Sequence, residues 1–89
     1  MKQNNAKREF RTTAIFKCII TLKSGARKII RMTIDKVAKF VTLFREQQEL
    51  AFKNESYLFK FSADECLLMS AVDGARFINE RTGQEFLSL

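Results

Sequence analysis

The chain has no histidine, proline or tryptophan, and only three glycines and two cysteines in 89 residues. The lack of histidine excludes imidazole acid–base chemistry, Ser-His and Cys-His nucleophile pairs, and most zinc sites. Cys18 and Cys66 are far apart with no CxxC pair, so no metal centre or other cofactor is expected. Each lies in an apolar run, AIFKCIITL or ECLLMSA, where a free thiol acts as a small buried hydrophobe. Two cysteines are too few for a disulfide-dense secreted scaffold. No export signal is expected, because Lys17 interrupts the apolar run behind Lys2, Lys7 and Arg8 and no small-residue cleavage pattern follows. The longest apolar stretches fall well short of the roughly 20 residues that span a bilayer. A cytoplasmic protein without membrane contact is therefore the expectation. Gly25, Gly74 and Gly83 are too scattered to cradle a phosphate and are better placed in turns.

What is present favours folding. Hydrophobic residues make up 46% of the chain and nine are phenylalanine, well clear of disordered compositions. A chain this short buries only about 60–65% of its unfolded surface and supports one core. Residues 1–11 are polar and basic without apolar periodicity, and read as a flexible arm before a single domain over 12–89.

From Thr13 to Leu22, Ala14, Phe16, Cys18, Ile20 and Leu22 alternate with Thr13, Ile15, Lys17, Ile19 and Thr21, which predicts a strand with one fully apolar face. Lys23 to Ala26 reads as a turn. Arg27 to Ile34 alternates again, completing a β-hairpin. Thr33 or Asp35 can cap a helix in which Val37, Phe40, Val41, Phe44, Gln48 and Ala51 keep amphipathic spacing to about Lys53. Tyr57 to Phe61 reads as a strand with Tyr57, Phe59 and Phe61 on one side.

The last third supports two readings. The favoured one is a meander: Cys66 to Val72, a tight Asp73-Gly74 turn, Ala75 to Asn79, a turn over Glu80 to Gly83, then Glu85 to Leu89. The other starts a helix at Ser62, which has capping-box spacing to Glu65. A short helical turn over Ser70 to Gly74 between two strands reconciles both. The expected class is α+β: an antiparallel sheet with one long amphipathic helix packed on one face.

Catalysis is not expected. Asp64 and Glu65 adjoin in a turn and Glu46 and Glu49 share an exposed helix, and neither pair accompanies a nucleophile motif. No small-molecule substrate is implied. The informative feature is charge: residues 1–36 carry ten Lys/Arg against Glu9 and Asp35, a net of +8, whereas residues 37–89 have a net of −2. If the helix covers the apolar face of the hairpin, the opposite face shows Ile15, Lys17, Ile19, Thr21, Arg27, Ile29 and Arg31. Leu58, Lys60, Arg76 and Ile78 extend it if their strands join in register. Solvated cations and β-branched residues on an open sheet are the plain reading. The functional reading takes Arg11, Lys17, Arg27, Lys28 and Arg31 as contacts to a nucleic acid or an acidic protein, around Ile15, Ile19 and Ile29. A self-associating adaptor using the Ile/Arg face is the alternative.

Overall fold

Two strands open the fold, β1 (Ile15–Leu22) and β2 (Arg27–Thr33), paired antiparallel with Cys18 opposite Ile30. The computed structural model describes residues 14–50 and 54–89. The expected arm over 1–11, Arg11 within it, and Ala51 and Lys53 at the expected helix end lie outside the described residues. The turn closes where Leu22 N donates to Ala26 O and Gly25 N to Leu22 O, each at 2.8 Å. Gly25 has φ +94°, a conformation that a side chain would strain. Alternation sends Phe16, Cys18, Ile20, Ile30 and Met32 into the core.

Helix α1 (Ile34–Glu49) buries Val37, Phe40 and Phe44, the i, i+3/i+4 stripe seen in the sequence. Three details differ from expectation. Thr33 occupies the N-cap position but its side chain makes no capping hydrogen bond, while Asp35 stands in the first turn, where its charge suits the helix dipole. The helix also stops short of Lys53: Leu50 is extended, and the Gln47 side chain ties down the returning chain. Its Nε2 donates to Glu55 O at 2.9 Å and its Oε1 accepts from Tyr57 N at 2.8 Å. Gln48, expected on the apolar stripe, is exposed.

Beyond the helix come β3 (Leu58–Lys60), β4 (Cys66–Leu68), a 3-10 turn (Met69–Ala71), β5 (Val72–Asn79) and β6 (Glu85–Ser88). The main sheet has the order β2-β1-β5-β6, all antiparallel, and β3 and β4 form a separate two-stranded sheet. The molecule is thus α+β, an antiparallel sheet with one helix packed on it and a small second sheet. Phe40 joins the layers: its ring meets Phe59 edge-on at 5.2 Å and Phe77 at 5.7 Å.

Several expectations for the last third are corrected. Asp73 and Gly74 form no turn; β5 runs through them, and the break falls earlier, at Met69–Ala71. Gly74 is needed instead for close approach, since a Cβ there would lie 2.8 Å from the Leu89 carbonyl oxygen. No helix starts at Ser62. Its hydroxyl does accept from Glu65 N at 3.1 Å, but the bond closes the link between β3 and β4. Cys66 is exposed rather than buried, because on a three-residue strand only the middle residue, Leu67, faces inward. No described helix is long and apolar enough to cross a membrane.

Candidate binding surface

Each strand of the main sheet gives alternate residues to the face that α1 leaves open. Reading across β2, β1 and β5, one row is Arg31, Lys17 and Ile78, and the next is Ile29, Ile19 and Arg76. Ile15 follows Lys17 at the end of β1, next to Glu80, whose N donates to Ile15 O at 3.0 Å. The structure thus brings together Ile15, Lys17, Ile19, Arg27, Ile29 and Arg31, with Arg76 and Ile78. Leu58 and Lys60 are not among them, because their strand pairs only with β4. Lys28 lies apart too: it alternates to the helix side, with Nζ 5.3 Å over the Phe61 ring and 3.9 Å from Glu65.

The centre of this face is apolar. Ile29 is 60% exposed, whereas Ile15, Ile19 and Ile78 are half-buried, as expected when long cationic stems lie across a flat sheet. Two acids absent from the sequence-based picture border it. Arg31 grips Glu80 in a two-pronged pair, Nε to Oε2 at 2.7 Å and Nη2 to Oε1. Arg76 Nε donates to Glu85 Oε1 at 2.7 Å. Glu80 has a sequence signal, being two residues beyond Ile78 on the same side of the strand; Glu85 has one only once β6 is known to lie beside β5. Lys17 and Arg27 have no carboxylate within salt-bridge distance among the described residues. Four cations against two carboxylates leave the face a net +2.

Beside Ile19, Thr21 and Gly74 lies an open depression of about 340 Å³, lined also by Arg27, Arg76 and the carboxylate-bearing Asp73. A second cleft of about 280 Å³ lies at the far end of α1, over Phe44, Met69 and Val72.

The chemistry elsewhere is sparse. No polar or charged side chain is buried among the described residues, and no three of their Cys, Asp and Glu gather as metal ligands. Burial pushes the Cys18 thiol from the ordinary 9.0 up to about 12, which removes its thiolate near neutrality. Lys17, next in sequence, points to the other face. Compared with known proteins, the chain matches no protein-family model, no curated protein and no solved structure.

Proposed function

We propose that this protein is a non-enzymatic binding module that docks an acidic protein surface on the open face of its sheet. The observation that carries the reading is Ile29, exposed beside Ile19 at the centre of a face bordered by the Arg31–Glu80 and Arg76–Glu85 pairs. An apolar centre with a charged rim is the anatomy of a protein interface. The surplus charge, Lys17 and Arg27, selects for acidic partners and disfavours two copies meeting face to face.

Phosphate binding fits this face less well. Two of its cations already hold carboxylates, and Glu80 and Glu85 would be pressed against phosphates. With about two to four cations available, the salt dependence would fall well below that of proteins making 6–10 phosphate contacts. The exposed apolar groups are isoleucines rather than the aromatic rings on which single-stranded bases stack. Four strands spaced about 4.8 Å apart and about seven residues long give a face of roughly 450 Å², so a flat complex buries roughly 900 Å² in total, the range of transient encounters.

The test is a pull-down from extract of the native host, with and without nuclease, using the parent chain and Ile29→Asp. The expected result is an acidic protein captured equally after nuclease and lost with Ile29→Asp, whose circular dichroism matches the parent. Capture that vanishes with nuclease overturns the reading in favour of nucleic acid, and nuclease-resistant capture that survives Ile29→Asp removes Ile29 as the centre of the interface. Light scattering should show a monomer; a concentrated dimer dissociated by Ile19→Asp would favour self-association instead.

A further inference from the structure

We infer that the free edge of β2 takes up an extended peptide as an added strand, with acidic residues at alternate positions flanking an aliphatic one. This rests on the protein-partner reading above and specifies the partner's form.

The order β2-β1-β5-β6 leaves β2 at an edge. Which of its backbone groups are unpaired follows from the register. Leu22 N donates to Ala26 O and Ile15 O accepts from Glu80 N, so even-numbered residues of β1 bond towards β2 and odd-numbered ones towards β5. On β2 the even-numbered residues therefore bond inward, and Arg27, Ile29 and Arg31 turn their N–H and C=O groups outward. No backbone hydrogen bond to these outward groups occurs from elsewhere among the described residues.

The edge is suited to strand addition. The β1–β2 register has no bulge, and the chain has no proline to interrupt it. The opposite edge, β6, spans four residues and is broken by a register shift near Ile78. Cations alone would guard an edge against pairing, but an isoleucine 60% exposed between Arg27 and Arg31 does the opposite. Side chains opposite one another on paired strands interact directly, so a strand with a carboxylate facing Arg27 and an aliphatic residue facing Ile29 matches both, and a second carboxylate meets Arg31 on the guanidinium edge that its pair with Glu80, through Nε and Nη2, leaves open. A second copy does not: paired antiparallel about Ile29, it sets Arg27 against the other copy's Arg31.

The experiment uses the full chain and a synthetic peptide in which two glutamates flank a valine at alternate positions. Controls are the same peptide with lysines for glutamates, and one N-methylated at the backbone amides that would face β2. With the glutamate peptide near saturation, amide exchange at Arg27, Ile29 and Arg31 should slow by about ten-fold or more, while Lys28 and Ile30, already bonded inward, should change little. The lysine and N-methylated peptides should give no such protection. If the glutamate peptide binds and is weakened by Ile19→Asp but those three amides exchange as before, the edge inference fails and docking on the face survives. If it does not bind at millimolar concentration, the edge inference fails alone, because the host-partner pull-down judges the face independently.

Discussion

Gly74→Ala sets two effects of opposite sign against each other. Gly74 lies within β5 with no positive φ, and replacing such a glycine ordinarily stabilises a protein by about 0.4–1 kcal/mol through the unfolded chain. Here the new methyl would stand 2.8 Å from the Leu89 carbonyl oxygen and 3.7 Å from its carbon. The obstacle is backbone, so either β5 or the end of β6 must move. Leu89 is held to Ala75 by two hydrogen bonds, Leu89 N to Ala75 O at 2.7 Å and Ala75 N to Leu89 O at 3.4 Å. Losing both removes about 1–3 kcal/mol, at roughly 0.5–1.5 kcal/mol each, which exceeds the gain. The expected outcome is net destabilisation of about 1 kcal/mol and a fall in Tm of about 4–8 °C, since a domain of this size moves by that much per kcal/mol. Urea and thermal unfolding measure the loss. Amide exchange at Leu89 and Ala75 that accelerates beyond the roughly five-fold that a global loss of this size gives core amides such as Cys18 and Ile20 would locate it. A variant as stable as the parent, or more stable, would refute the close approach of β6 to Gly74.

Phe40→Leu removes two edge-to-face ring contacts and opens space among three elements; a loss of about 2–4 kcal/mol is expected from a total of roughly 4–13 kcal/mol for a chain of this length, read as a lower urea midpoint with unchanged slope. The two thiols should differ: at pH 8 an alkylating reagent should label Cys66 in the native protein and Cys18 only after unfolding, as peptide mass spectrometry will report. Because burial raises the Cys18 pKa from 9.0 to about 12, the folded state holds its proton more tightly, so its contribution to stability is complete below pH 9 and is lost as pH rises towards 12. Cys18→Ala should flatten that decline. Glu80→Gln with Glu85→Gln should change stability by less than about 1 kcal/mol per pair, since both pairs are exposed, yet strengthen binding of an acidic partner several-fold by releasing Arg31 and Arg76; unchanged affinity in calorimetry would count against charge selection by this face.

Much of the architecture was legible because period-2 and period-3.6 patterns are local. Ile15 and Lys17 sort onto opposite sides from Phe16 and Cys18 whatever surrounds them, and Val37, Phe40 and Phe44 mark their stripe in the same way. Errors arose where tertiary contacts overrode local chemistry. Asp73-Gly74 has turn composition, but β5 continues through it because β1 pairs with Gly74 and Val72 on either side, leaving Asp73 as the extra residue at a shift in register, and the glycine is needed for close approach. Ser62 and Glu65 make their local hydrogen bond without the helix that such spacing suggests. Alternation places a side chain on a face but does not say which strand lies alongside, and strand order determines the charge of a surface. Arg31 and Glu80 are 49 residues apart and meet only because β1 sits between β2 and β5. Counted without their partners, the cations of the open face are four: Lys17, Arg27, Arg31 and Arg76. Once Glu80 and Glu85 are set beside Arg31 and Arg76, half of that charge is answered within the protein and Ile29 is left as the most exposed group at its centre. Of the two partners that the sequence left open, a nucleic acid and an acidic protein, that change in balance favours an acidic protein strand.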